Sequence, residues 1–160
     1  MLRWVRLSGL FSLAVTIGCG QAFAMNGGWT PLSPDALTRL YAGKTWKWKQ
    51  GAAFFAADGR FKGWSESNGK RADGIGTWDV RDDGVVCFIA TWTMIGKPSP
   101  NSNPPVETCF SHQAKRGEIA QARVPGAQWY IFKHAAPRPS DEFYKLRRGD
   151  RTGLKNTPLT

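Results

Sequence analysis

The stretch Gly76-Thr77-Trp78-Asp79-Val80-Arg81-Asp82-Asp83-Gly84-Val85-Val86-Cys87-Phe88-Ile89-Ala90-Thr91-Trp92 decides the fold. Thr77, Trp78 and Val80 favour extended backbone. Asp83-Gly84 follows as a tight-turn signal, because glycine accepts the positive φ such a turn needs. The chain then enters an apolar run that continues to Met94. The stretch therefore reads as strand, turn, strand. In the second strand Cys87, Ile89 and Thr91 point one way; Val86, Phe88, Ala90, Trp92 and Met94 point the other. Both sets are largely apolar, which predicts a central strand covered on both faces.

Working outward, similar short units repeat. Thr45-Trp46-Lys47-Trp48-Lys49 alternates, with both Trp on one face. Residues 52–56 continue as a strand after a kink at Gly51. Asp58-Gly59 turns the chain into a return strand at 61–65, and Asn68-Gly69 with Asp73-Gly74 marks the next loop. Residues 97–105 carry four prolines and read as a loop. A partner strand at 106–113 contains Cys109. Arg116-Gly117 leads to a strand at 118–123, and Pro125-Gly126 to one at 128–133. Residues 141–148 read as a last strand or a short helix. Ahead of all this, Ser33-Pro34-Asp35-Ala36-Leu37-Thr38-Arg39-Leu40-Tyr41 is a helix. Ser33 is its N-cap, Pro34 and Asp35 suit its first turn, and Leu37, Leu40 and Tyr41 share a face. Gly43 stops it. Strands of this length and spacing predict a mainly β fold: an antiparallel meander forming an up-and-down barrel or a two-layer sandwich, with a short N-terminal helix.

The N-terminus has a different character. Arg3 and Arg6 precede an apolar run at 10–18, and Ala22-Phe23-Ala24 is an A-x-A cleavage site. The expected organisation is a signal peptide over 1–24, a single β-rich domain over 25–150 and a basic flexible tail over 151–160. The apolar run is shorter than the roughly 20 residues a spanning helix needs, so no transmembrane span is expected in the mature chain. A periplasmic or secreted location follows. The rival is a lipoprotein anchored through Cys19, since Thr16-Ile17-Gly18-Cys19 resembles a lipobox with Thr16 in place of the usual Leu.

Cleavage after Ala24 leaves two of the three cysteines, Cys87 and Cys109. In an exported chain this pair predicts a disulfide. The alternatives are two free thiols or a zinc site built from Cys87, Cys109 and His112. Against zinc, Cys109 and His112 have opposite parity on one strand. The formal charge of +10 favours an anionic envelope component as partner and fits solubility equally well. Nucleic acid is not expected for an exported protein.

Candidate chemistry is sparse. The two histidines are His112 and His134. Ser111, next to His112, is poorly placed for a triad on a strand. Asp82-Asp83 and Asp141-Glu142 read as turn or surface residues. No phosphate-cradling loop or zinc-protease helix is present. No catalytic residue, metal or cofactor is therefore assigned. Eight tryptophans stand out. They serve a packed core or an aromatic binding surface. Trp48 and Trp64, beside Lys49 and Lys62, are the candidate ligand-binding residues.

Leu40-Tyr41-Ala42-Gly43-Lys44-Thr45-Trp46-Lys47-Trp48, Phe54-Phe55-Ala56-Ala57-Asp58-Gly59-Arg60-Phe61, Gly76-Thr77-Trp78, Cys87-Phe88, Cys109-Phe110-Ser111-His112 and Trp129-Tyr130-Ile131-Phe132-Lys133 occur in that order. Together they resemble the domain-of-unknown-function family 995, small exported proteobacterial proteins, over residues 37–150. The resemblance implies an envelope location and no particular activity. A looser likeness is to lipocalin-type barrels. Here Gly43-Lys44-Thr45-Trp46 is one residue longer than their Gly-x-Trp, and Gly76-Thr77-Trp78 lies mid-chain. Three functions follow as expectations. The first is a non-enzymatic envelope protein binding a small apolar ligand, an anionic ligand or an envelope component. The others are a hydrolase of envelope polymers centred on His112, and an inhibitor or assembly factor acting through the loop at 97–105.

Overall fold

A computed structural model describes residues 27–96, 103–126 and 128–154. The expected signal peptide, Cys19, residues 97–102 of the proline loop and residues 155–160 lie outside them. The elements are β1 (Thr30–Pro31), α1 (Pro34–Tyr41), β2 (Lys44–Trp48), β3 (Gly51–Phe55), β4 (Arg60–Ser67), β5 (Lys70–Arg81), β6 (Val85–Met94), β7 (Val106–Lys115), β8 (Glu118–Val124), β9 (Tyr130–Lys133) and β10 (Leu146–Arg148). All strand pairs are antiparallel. The sheet order is β10-β2-β3-β4-β5-β6-β7-β8-β9, with β1 added beside β7.

This is one continuous sheet, curled into a half-barrel. Its curl brings distant strands face to face. The Trp46 ring of β2 lies 5.4 Å from Phe110 on β7 and 6.0 Å from Phe132 on β9. The mainly β, barrel-like expectation therefore holds. The edges β9 and β10 are bridged by a 3-10 turn at Glu142–Lys145 rather than by a ladder. Residues 141–148 thus contain both the helical turn and the last strand. No described helix is long and apolar enough to cross a membrane.

Local chemistry explains most elements. Ser33 caps α1 by accepting from the Ala36 N–H, and Leu37, Leu40 and Tyr41 are buried. They enter one end of the half-barrel and pack with Phe55, Trp78 and Val86. Asn68 and Gly69, both at positive φ, form the β4–β5 turn.

Four expectations change. Asp73-Gly74 is not a loop, because β5 runs straight through it, and Gly74 pairs with Gly63 and Trp92. The glycine is there because a Cβ would lie 2.8 Å from the Trp92 ring. The outer face of central β6 is covered only in part: Cys87 is fully buried, whereas Ile89 is 39% exposed. Asp141, expected at the surface, is buried. It accepts from the His134 backbone N–H at 2.9 Å and lies 2.7 Å from His134 Nδ1, which fastens the crossing from β9 to β10. Finally, residues 151–154 are docked rather than frayed. Thr152 and Leu154 are buried against the outer face of β2–β4, and Thr45 Oγ1 donates to Gly149 O and accepts from Arg151 N.

The disulfide Cys87–Cys109 joins directly opposed residues of β6 and β7, with Cα atoms 4.1 Å apart. It lies on the outer face. Arg81 reaches Cys109 Sγ at 3.9 Å and is itself paired with Glu107. Because the sulfurs are bonded to each other, the zinc set is not assembled, and His112 faces the interior, as its parity requires.

Candidate functional site

The half-barrel has two unlike ends. At the helix end the interior is filled. Tyr130 O–H donates to Gln121 Oε1, and the Gln121 amide N–H group donates to Tyr41 O at 2.9 Å and lies 2.8 Å from His112 Nε2; the Tyr41 hydroxyl lies 2.9 Å from the same Nε2. Because the Gln121 amide nitrogen can only donate, Nε2 accepts, and neutral His112 carries its proton on Nδ1. Burial pushes the His112 pKa down to about 3, with the Gly84 and Phe110 carbonyls opposing weakly. Burial likewise raises the Tyr41 and Tyr130 hydroxyls. His112 is fully buried under Tyr41 and Phe132, and among the described residues no carboxylate hydrogen-bonds to it. The histidine serves the core.

Among the described residues the opposite end is open. Strand register places Trp48, Gly51, Ser65, Ala72 and Met94 in one inward-facing row, and Trp46, Ala53, Gly63, Gly74 and Trp92 in the next. The large rings here lie along the sheet instead of standing into the interior. Trp48 covers Gly51, where a Cβ would sit 2.2 Å from the ring, and Trp92 covers Gly74. The space above them is a cleft of about 370 Å³, lined by Trp92, Met94 and Ala72 together with Ser65, Ser67, Thr108 and Lys70. Deeper in the half-barrel, Phe61 and Phe88 stack with centroids 4.4 Å apart. Val106, 49% exposed, lies one row in from Trp92, at the start of β7. The volume falls in the range of small-molecule sites.

A second cleft of about 410 Å³ lies against Gly27, Gly28, Thr30 and the β7–β8 turn at Lys115-Arg116. It is larger, yet glycines and turn residues form much of its wall. The open end combines aromatic, thioether and hydroxyl groups and is the stronger candidate.

The four residues proposed from sequence are not brought together. Trp48 is on the inner face, half-buried beside Trp46, at 6.0 Å between centroids. Lys49 is exposed in the turn after β2. Trp64 and Lys62 have the opposite parity and lie on the outer face, where the C-terminal segment occupies them. Trp64 Nε1 donates to Thr152 O at 3.0 Å, and Arg71 stacks 4.6 Å from the ring centroid. Lys62 is 8% exposed and pairs with Asp150 at 2.6 Å. Burial pushes the Asp150 carboxyl up, but hydrogen bonds from Lys62 and Thr152 outweigh it and hold it below its ordinary value. Trp92, Met94 and Lys70 were missed. The first two appear in sequence only as core positions of a central strand. Their signal is the inward parity of β6 combined with glycines at the facing positions of β5.

The family model described as "Protein of unknown function (DUF995)" matches residues 10–152. No curated protein and no solved structure matches the chain.

Proposed function

The chain belongs to this family of unknown function (DUF995), and from that premise we propose that it is a non-enzymatic, exported binding protein whose open end takes an apolar ligand or the apolar part of an envelope component. The observation that carries the reading is the cleft walled by Trp92 and Met94. An aromatic ring and a thioether give a large, adaptable apolar contact. The hydroxyls of Ser65, Ser67 and Thr108 can fix the orientation of a polar group. Support for export comes from the leader pattern at 3–24 and from the disulfide, which persists in oxidising compartments.

A neutral fluorescent apolar probe, N-phenyl-1-naphthylamine, tests the binding reading. Its fluorescence should rise with the wild-type protein and fall on adding decanol. Trp92→Ala and Met94→Ala should each weaken binding severalfold. Wild-type affinity in both variants would overturn the assignment to this cleft. Mass spectrometry tests export: a chain starting at Met25 with two hydrogens missing at Cys87 and Cys109 is expected. A diacylglycerol mass on Cys19 would replace the soluble form with a lipoprotein.

A further inference from the structure

We infer that the ligand of the open end is an anionic amphiphile: a single alkyl chain lying on Met94 and Trp92, with a carboxylate or phosphate head held at Lys70, Ser65 and Ser67. The inference rests on the binding reading above and adds the head-group chemistry. Three observations lead to it.

The first is charge. Lys70 is the one charged residue lining the cleft. It is paired with Ser67 at the end of the β4–β5 hairpin, on the inner face. Nearby carboxylates have the other parity. Asp73 points outward and is paired with Arg71, and Glu107 points outward and is paired with Arg81. Glu66 shares the outward parity of Trp64. Lys70 Nζ makes no ion pair among the described residues. A bound anion would therefore meet a cation and hydroxyl donors with no opposing carboxylate in the cleft. An ammonium group serves carboxylate and phosphate alike, because it acts as a compact point charge.

The second observation is the order of groups along β5. Polar and charged residues, Lys70 and Ser67, lie at the rim. Ala72 and Met94 come one row deeper, and Gly74 with Trp92 one row deeper still. Apart from Thr108, which lies level with Phe88, this is the polarity profile of an amphiphile with its head outward.

The third is depth. From Lys70 to Gly74 is four residues, a span of about 14 Å at the rise of an extended strand. One row beyond Gly74, Phe61 lies 6.5 Å from Trp92. The cleft suits a short or partly inserted chain.

Calorimetric titration with decanoate, decyl phosphate and decanol at low salt tests this. One or both anions should bind about fivefold tighter than decanol, the scale of an exposed charge contact. Whichever anion binds tighter identifies the head group, and the preference should shrink as salt is raised. Lys70→Gln should cut the preference to less than twofold, through loss of affinity for the anion. Lys70 is exposed at a hairpin end, and an unchanged near-UV circular dichroism spectrum will confirm that the variant folds. Lys70→Arg should retain the preference. Equal affinity for anion and alcohol, or a preference that survives Lys70→Gln, overturns the head-group inference while the apolar cleft stands. Absence of binding by all three overturns both.

Discussion

The two ends of the half-barrel are built from the same strands and differ in what fills them. At the helix end, Leu37, Leu40 and Tyr41 of α1 enter the interior, and a hydrogen-bonded chain from Tyr130 to His112 satisfies the polar groups. At the other end no element enters among the described residues, and Trp48 and Trp92 lie over glycines. One meander thus yields a core where a helix plugs it and a cleft where none does. The difference teaches that inward parity alone does not make a residue structural. What matters is whether the layer above is occupied.

The largest effect expected from this contrast is on stability. Phe55 touches Tyr41, Phe61, Trp78 and Phe88. Phe55→Ala should cost about 3–5 kcal/mol in urea denaturation, against about 1 kcal/mol or less for Met94→Ala at the open end. Equal losses would break the distinction. Next is the disulfide, which closes a loop of 22 residues between β6 and β7. The double variant Cys87→Ser with Cys109→Ser should lose about 3 kcal/mol. Being on the outer face, the bond should leave affinity at the cleft intact wherever the variant is folded.

The third prediction sharpens the helix end through pH. His112 is held neutral in the folded protein down to about pH 3, whereas an unfolded histidine takes a proton near pH 6.5. Between these values the unfolded state binds more protons, so stability falls as pH drops, by about 1.4 kcal/mol per unit. Denaturation midpoints at pH 7, 6 and 5 should fall more steeply at each step as this slope is approached, and His112→Gln should flatten the fall. A slope unchanged in the variant would place the titrating group elsewhere. The smallest effect belongs to the outer face. Asp150→Asn removes the counter-charge of the buried Lys62 ammonium and should cost about 1–2 kcal/mol, with no change at the cleft.

Much of this architecture was legible in the sequence. The helix could be read from Ser33, Pro34 and the spacing of Leu37, Leu40 and Tyr41, because caps and periodicity act locally. The hairpin at Asp83-Gly84 and the opposed cysteines were legible for the same reason. Gly74 was misread as a turn because its partner, the Trp92 ring, comes from the next strand. Trp48 and Trp64 looked alike because each has a lysine beside it. Only the β2–β3–β4 register shows that they face opposite sides of the sheet. The docking of Thr152 and Leu154 had no local signal at all, since it depends on the outer groove formed by distant strands.

The central claim is that the open end binds and the helix end does not. The most direct test is an NMR titration of indole N–H and methionine methyl signals with decanol. Trp78 serves as the internal reference, since its N–H is held by Ala56 O at the helix end. The signals of Trp92 and Met94 should move, while that of Trp78 stays in place. Movement of Trp78 with Trp92 and Met94 unchanged would contradict the account.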